Sequence, residues 1–222
     1  MIIDGVDIKD YGLCLYDRPN IPTPERDTEV VTIRGKNGTL TKEYGWKDIE
    51  VPVKLNLMTD TLKEDVRGVK AWILKAKEIF YADDSVFYKV SRVRMGSIEN
   101  EIAEYGAFDV SFICKPFQYS LPTAVTLTTP GKLYNPGTET AEPYIKVTGS
   151  GAVILDIGGR DIGMNITGYI ELDTELGYAF KGTSGADDKV NGELPVLTPG
   201  ENNISWTGNI TKLEIVYKAV YL

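Results

Sequence analysis

The segment 108–145 constrains the fold most, because an alternating strand gives way there to a run of chain breakers. Phe108, Val110, Phe112 and Cys114 recur at every second position, the pattern of a β-strand. The chain breakers that follow are Pro116, Pro122, Pro130, Gly131, Pro136, Gly137 and Pro143. Proline removes a ladder donor and glycine weakens a strand interior. We therefore predict two β-rich domains, 1–120 and 143–222, joined by a linker over 121–142.

The first domain is predicted to be mainly β, with one hairpin and one long strand. Glu29–Tyr44 contains two short strands around Gly35-Lys36-Asn37-Gly38, in which Asn-Gly favours the positive φ of a tight turn. Its flanks are polar, so we expect the hairpin to project from the domain. Ile49–Leu57 alternates strictly, which predicts a strand with one buried face. Pro52 within it indicates an edge position or a bulge.

One α-helix is predicted, over about 61–81. Apolar residues follow each other there at spacings of three and four, which places them on one helical face. They are Leu62, Val66, Val69, Ile73, Ala76 and Phe80. Thr61-Leu62-Lys63-Glu64 fits a capping box at the start. We expect this helix to pack on a sheet.

The second domain shows only short strand patterns separated by turn residues. The predicted strands are 144–148, 152–157, 160–166, 169–173, 178–180, 204–207 and 213–221. Gly158-Gly159 is a hairpin signal. Regular short strands without a helical period predict an antiparallel β-sandwich or jelly roll.

Composition excludes several partners and environments. The net charge is -8 and no Lys/Arg cluster stands out, so no sequence-specific binding of nucleic acid is expected. There is no basic leader and no apolar run of about 18 residues, so neither export nor a membrane partner is expected. Cys14 and Cys114 are the two cysteines. We interpret them as buried free thiols, with a disulfide as the alternative.

The residues offer no catalytic machinery. The chain has no histidine, the commonest general base and metal ligand. Two distant cysteines do not form a zinc-finger spacing, and no phosphate-binding loop is present. A carboxylate pair could support glycoside hydrolysis, but nothing singles one out among 32 acidic residues. We therefore predict no enzyme activity, no catalytic residues, no cofactor and no metal.

Aromatic residues of the second domain admit two interpretations. Tyr178 and Trp206 could stack on the face of a sugar, which makes them candidate glycan contacts. Alternatively, such residues fill the core of the sandwich, and this second interpretation is the one we favour.

Several motifs, in their order along the chain, resemble the distal tail protein family of long-tailed phages that infect Gram-positive bacteria. The opening Ile2–Leu13 has an apolar-Asp-Gly turn and a Tyr-Gly pair, and Arg34–Leu40 fits an R-G-x-x-G-x-L hairpin. The other matching motifs are the helix with Trp72-Ile73-Leu74, Ser111–Phe117, Asn135–Thr138 with Pro143, Gly192–Leu197, Pro199–Asn202 and Trp206–Gly208. The resemblance covers nearly the whole chain.

The resemblance implies a structural part of a virion. Members form a sixfold ring at the far end of the tail: their first domains make the ring and their second domains, galectin-like sandwiches, project outward. The implied partners are other copies of the chain, the major tail tube protein, the tail-associated fibre protein, and receptor-binding or baseplate proteins. Tape-measure protein and then DNA pass through the central hole. Assembly takes place in the cytoplasm of the bacterial host.

Within this resemblance, the hairpin tip is the candidate oligomer interface: Arg34, Gly35, Lys36, Asn37, Gly38 and Thr39. An unpaired hairpin edge can pair with the sheet of a neighbouring subunit. Two alternatives remain open at this point. One is a carbohydrate-binding module that attaches to a bacterial cell wall, and the other is the equivalent part of a phage-derived particle such as a bacteriocin.

Overall fold

The structure, a computed structural model, describes residues 1–59, 62–97 and 105–222. It is mainly β with one α-helix in the described part of the chain, as the alternating patterns predict. The chain divides into two compact units, Met1–Gln118 and Tyr119–Tyr221. Each unit is built on its own arrangement of antiparallel strands.

In its described residues the first unit contains one helix and nine strands, and the last strand continues past Gln118 to Ser120. Their bounds are β1 Ile2–Ile3, β2 Val6–Asp7, β3 Leu13–Leu15, β4 Arg26–Val31, β5 Leu40–Trp46, β6 Ile49–Met58, α1 Leu62–Ile73, β7 Glu78–Phe80, β8 Val86–Met95 and β9 Tyr105–Ser120. A single 3₁₀ turn, Ile8–Tyr11, precedes β3.

The main sheet of this unit has the order β2-β1-β7-β8-β9-β6-β3. Strand β6 pairs with β9 from Ile49↔Cys114 to Met58↔Tyr105 without a register shift. On its other side β6 pairs with β3 only over Leu55–Leu57. Pro52 therefore stands where β6 is an edge, which agrees with its predicted position and requires no bulge.

The core of this unit lies between the inner face of the sheet and α1. Alternate residues of β6 are buried and their neighbours are exposed, as period two requires. Val69 and Ile73 of α1 belong to the same core as Phe112 of β9. The helix therefore packs on the sheet, as its apolar stripe predicts.

The helix is shorter than its sequence pattern indicates, so the predicted end near 81 is wrong. The backbone turns after Ile73, and the Ala76 N–H donates to the Ile73 carbonyl at 3.1 Å. Phe80, which continues the helical spacing, lies in β7 and pairs with Ile2 and Phe87. Hydrogen bonds to two neighbouring strands outweigh the local period there. The predicted capping residue Thr61 lies outside the described residues.

The second unit contains nine further strands and a short 3₁₀ turn at Asp187–Lys189. The strand bounds are β10 Thr123–Leu127, β11 Gly131–Asn135, β12 Tyr144–Ile157, β13 Arg160–Asp173, β14 Tyr178–Lys181, β15 Ser184–Gly185, β16 Val190–Gly192, β17 Gly200–Tyr217 and β18 Val220–Tyr221.

Three long strands, β12, β13 and β17, form the centre of the sheet in the second unit. The sheet order is β10-β17-β12-β13-β14-β15, and β11 and β16 pair with the far ends of β17 and β13. Strand β12 pairs with β17 through two register shifts between Thr148 and Ile154. Such irregularities bend strands, so one continuous sheet supplies both layers of the predicted sandwich.

The short predicted strands of this unit merge into longer ones. Predicted strands 144–148 and 152–157 are both parts of β12, and 160–166 and 169–173 are both parts of β13. Glycine is the reason for the difference, because Gly149, Gly151 and Gly168 allow a strand to bend without ending. The predicted Gly158-Gly159 turn is confirmed, with φ of +61° and +85°.

The segment 121–142, predicted as a linker, contributes two strands to the second unit. Strand β10 pairs with one end of β17, from Thr123↔Tyr217 to Leu127↔Leu213. Strand β11 pairs with the opposite end of β17, from Gly131↔Ile204 to Asn135↔Gly200. The prolines lie before, between and after these strands, where they remove no ladder donor. The linker interpretation is therefore replaced by two strands with prolines at their ends.

Candidate functional site

A hairpin formed by β4 and β5 stands apart from both large sheets. It forms a two-stranded sheet of its own, and we call Arg26–Trp46 the arm. Its register runs from Arg26↔Trp46 to Val31↔Leu40, with one irregularity near the base. Every residue of β4 is exposed, and so are all residues of β5 except Trp46. This arrangement agrees with the predicted projecting hairpin.

The arm exposes several large apolar side chains. Val30 is 59% exposed, Leu40 60% and Tyr44 51%. Val31 and Ile33 are also exposed. Isolated two-stranded hairpins are marginally stable in water, and clustered exposed apolar groups are typical of interaction surfaces. The composition of the arm therefore suits contact with another protein surface.

Contacts within the arm keep its two strands in register. The Tyr44 hydroxyl donates to the Glu29 carboxylate at 2.6 Å. At the base, the Arg26 guanidinium lies 3.9 Å from the centre of the Trp46 ring. A cation over an aromatic face contributes about 0.5–1 kcal/mol at exposed sites. These contacts connect strand to strand, so they stiffen the hairpin without fixing it to a core.

The six predicted interface residues, Arg34–Thr39, form the connection between β4 and β5. All six are exposed. The Lys36 N–H donates to the Ile33 carbonyl at 3.2 Å, which closes a turn. Gly35 and Gly38 adopt φ of +80° and +85°, a conformation that favours glycine. The Gly35-Lys36-Asn37-Gly38 pattern therefore predicts correctly that this tip lies at the end of a hairpin.

The apolar side chains beside the tip were not among the predicted interface residues. Val31 faces Leu40 across the strands, and Val30 faces Thr41. Both faces of the arm therefore carry apolar residues, because Val30 and Val31 are adjacent. The consecutive valines Val30-Val31, with Ile33 and Leu40 close to the turn, are the sequence signal that could have identified this apolar surface.

The two candidate glycan contacts lie on opposite faces of the sheet in the second unit, Tyr178 on the outer face and Trp206 on the face towards the core. Tyr178 is 40% exposed and aligns with Asp173, next to the buried Ala179. Trp206 is half-buried and aligns with the buried Leu155, so it is on the core face. The structure therefore does not bring these two aromatic rings together on one surface.

A buried carboxylate lies on the outer face of the same sheet. Glu171 is 9% exposed. It accepts hydrogen bonds from the Tyr144 hydroxyl at 2.6 Å and from the Gly182 N–H at 2.9 Å. The Lys146 ammonium lies 3.9 Å away. Glu171 thereby holds the turn between β14 and β15 onto the sheet.

These partners set the ionisation of the cluster. Burial alone raises the pKa of Glu171, but the Tyr144 hydroxyl, the Gly182 N–H and Lys146 outweigh it and lower that pKa. Burial, together with the hydrogen bond to Glu171, raises the pKa of Tyr144. The carboxylate is therefore charged and the phenol neutral at neutral pH. A cluster in this state is suited to holding structure together.

The two cysteines do not form a disulfide. Both are free; Cys114 is buried, and Cys14 is half-buried on β3. Burial and the nearby Asp48 raise the pKa of Cys114 to about 12. The free-thiol interpretation is confirmed, although Cys14 is less buried than it proposes.

Two further features of the described residues concern ligands and membranes. Over 1–59, 62–97 and 105–222, no three or more His, Cys, Asp or Glu side chains are grouped so as to hold a metal ion. No helix in those ranges has the length and apolar character needed to cross a membrane.

Two solved structures resemble the chain over nearly its whole length. One is the SPP1 Dit protein, described as a paradigm of the hub adsorption apparatus in phages that infect Gram-positive bacteria. The alignment covers 100% of this chain and 98% of the SPP1 Dit chain, with a TM-score of 0.74 and 16% identity. A chain of the phage P2 baseplate, in its activated conformation with Ca, aligns with 96% of this chain and 92% of its own, with a TM-score of 0.51 and 12% identity.

No family model matches the sequence, and no curated protein matches it. Identities of 16% and 12% establish a shared fold and leave function to be argued separately. The agreement includes both units, since neither chain has a large unmatched part. The predicted resemblance to distal tail proteins is confirmed in the fold: the whole chain is built like the SPP1 Dit hub protein.

Proposed function

We propose that the protein is a distal tail hub of a phage or phage-derived particle. In this role it forms a sixfold ring at the far end of the tail and joins the tail tube to the tip or baseplate. The role is structural and involves no enzyme chemistry. Its place is the virion, after assembly in the cytoplasm of the bacterial host.

One observation carries the proposal: the fold of a phage hub protein is shared across 100% of this chain and 98% of SPP1 Dit. A likeness confined to the second unit would indicate only a β-sandwich, an architecture that many unrelated proteins share. Here the first unit, with its helix and its arm, is included in the alignment.

The arm supports ring formation. A head-to-tail contact repeated around an axis joins a projecting element of one subunit to a different surface of the next. The arm is such an element, because it lies outside the main sheet and exposes apolar residues on both faces. We infer that the arm docks on the neighbouring subunit, with Arg34–Thr39 at its tip.

The remaining partners follow from the proposed position in the tail. The first unit contacts the tail tube protein and the tail-associated fibre protein, and the second unit holds receptor-binding or baseplate proteins. Tape-measure protein and DNA pass through the ring. A net charge of -8 suits such a passage, because an acidic wall repels the phosphate backbone.

The location can be tested on assembled particles. Antibodies against this chain should label the far end of the tail in electron micrographs of intact particles. Labelling along the tail tube, on the head, or on no particle component would contradict the proposed role. Particles stripped of their tail tips serve as the control and should lose the label.

The role of the arm can be tested with two matched surface substitutions. Leu40 on the arm and Leu176 in the second unit are 60% and 64% exposed. Leu40→Lys should prevent ring formation, measured by light scattering and electron microscopy, whereas Leu176→Lys should leave it unchanged. Deletion of Gly35–Thr39 should act like Leu40→Lys. Rings of normal mass in both arm variants would exclude the arm from the interface.

A further inference from the structure

Strand β10 is an open edge of the second unit. It pairs with β17 over five residues, Thr123↔Tyr217 to Leu127↔Leu213, without a register shift. It stands at the end of the sheet order, and no described strand pairs with its other side. Along that side, alternate residues present backbone N–H and C=O groups that are ready to pair with another strand.

This edge lacks the features that usually prevent pairing between molecules. Proteins protect edges with charged side chains, bulges, internal proline or very short strands. Residues 119–131 carry no charged side chain. The strand has a regular register and no internal proline, because Pro122 and Pro130 lie outside it. Ala124 and Thr126 are exposed, and both are small enough for a second strand to approach.

Other edges in the described part of the chain are shorter or charged. Strand β15 has two residues and β3 has three. The arm strands carry Arg, Asp, Glu and Lys side chains. Strand β11 is as long as β10, but its Lys132 is exposed and paired with Glu201 at 2.6 Å. Among strands of five or more residues in the described ranges, β10 is the one without a charge.

From this edge we infer a second interface, in which β10 pairs antiparallel with β10 of a second copy of the chain. A twofold axis through Val125 matches all five residues of one strand with all five of the other, and any other antiparallel register matches fewer. In this register Ala124 faces Thr126 of the partner copy, and Thr123 faces Leu127. No like charges meet, so pairing carries no electrostatic penalty.

The chemistry of the edge favours a second copy as the occupant. Its own sequence, Thr-Ala-Val-Thr-Leu, is rich in β-branched residues and uncharged, which is the composition that pairs well along an uncharged edge. The two sheets then continue into each other across the twofold axis. A twofold contact closes after two copies, whereas the head-to-tail contact proposed for the arm closes around a ring. The two interfaces are independent.

The test uses two double variants that alter the same two positions. Ala124→Lys/Thr126→Lys places lysine opposite lysine twice across the axis. Ala124→Glu/Thr126→Lys places glutamate opposite lysine twice. Both pairs of substitutions are made in the chain that lacks Gly35–Thr39, because the ring contact proposed for the arm is absent there and β10 pairing is then the one association left to measure. Sedimentation equilibrium of this parent chain, at concentrations up to about the millimolar range where weak homodimers form, should show its mass doubling.

We expect the lysine–lysine variant to dimerise at least tenfold more weakly than the parent chain that lacks Gly35–Thr39, and the glutamate–lysine variant to recover the association of that parent chain. Circular dichroism checks that each variant is folded. A parent chain that never doubles its mass would overturn the inference, and so would equal association of the two variants. Open-ended growth of the parent chain, seen as scattering that rises without a plateau, would also overturn it, because the twofold pair is closed once the arm contact is absent.

Discussion

Loss of the Tyr144 hydroxyl should destabilise the second unit by a predictable amount. Tyr144→Phe removes the 2.6 Å hydrogen bond to the buried Glu171 and leaves the ring in place. Hydrogen bonds to charged groups contribute about 1.5–3 kcal/mol. Glu171 keeps the Gly182 N–H and the nearby Lys146 as partners, so we expect a cost of about 2 kcal/mol.

This cost can be measured in the second unit alone. Unfolding in urea is monitored through the hydrogen exchange of backbone amides in β12 and β13, which belong to that unit. With a denaturant slope of about 1–3 kcal/mol per M urea, a loss of about 2 kcal/mol lowers the midpoint by roughly 1 M. Tyr134→Phe is the matched control, since Tyr134 is 67% exposed, and its midpoint should hardly change.

The dependence on pH gives an independent check. The folded state lowers the pKa of Glu171, so the charged carboxylate stabilises the second unit above the pKa of the unfolded chain, about 4.3. That stability is lost as the pH falls through the lower, folded pKa. Glu171→Gln should therefore be less stable than the wild type at pH 7 and approach it in strong acid.

A double-mutant cycle decides whether the hydrogen bond is responsible. Tyr144→Phe and Glu171→Gln should together cost less than the sum of their separate effects, by about 1 kcal/mol or more, because each substitution weakens the same charge-assisted bond. Costs that add within about 0.5 kcal/mol would show that the two side chains act separately, and would refute the explanation.

Two further predictions concern single residues. Thiol reagents at pH 8 should modify Cys14 in the folded protein and reach Cys114 only after unfolding, because burial raises the pKa of Cys114 to about 12. Peptide mass mapping identifies the modified cysteine, and labelling of Cys114 in the folded protein would contradict its burial. Gly149→Ala should destabilise the second unit by about 2 kcal/mol or more, because the added Cβ would lie 2.2 Å from a backbone oxygen. Gly68→Ala in α1 places its Cβ in open space and should stabilise the first unit by up to about 1 kcal/mol. Chemical denaturation measures both changes, and equal effects of the two substitutions would contradict the packing described for Gly149.

Long, strictly alternating or turn-marked elements could be predicted from the sequence. The residues of β6 alternate over its whole length, and the arm has glycine at positions with positive φ. In both cases the local signal and the final environment agree, which is typical of natural folds. The mainly β character of the described residues follows from such elements.

The prolines of 121–142 and the end of α1 were misleading for physical reasons. Proline excludes only its own position from a central ladder, so strands of five residues fit between Pro122, Pro130 and Pro136. Phe80 continues the spacing of the helix, but pairing with two strands decides its conformation. Both outcomes depend on distant segments that local patterns do not contain.

The candidate site could be predicted only where it is local. The tip of the arm is marked by adjacent turn residues, and the structure places it where the pattern indicates. Glu171 and Tyr144 are separated by 27 positions and become neighbours only through the pairing of β12 with β13. Among 32 acidic residues, no sequence signal distinguishes Glu171.

The open space around the arm tip makes its length easy to change in evolution. A Cβ atom added at Gly35 or Gly38 would meet nothing within 4 Å. Doubling the length of a flexible loop costs only about 0.6 kcal/mol in closure entropy. Insertions between these glycines can therefore lengthen the hairpin while its paired strands stay the same, so the length of the arm can change without rebuilding the core.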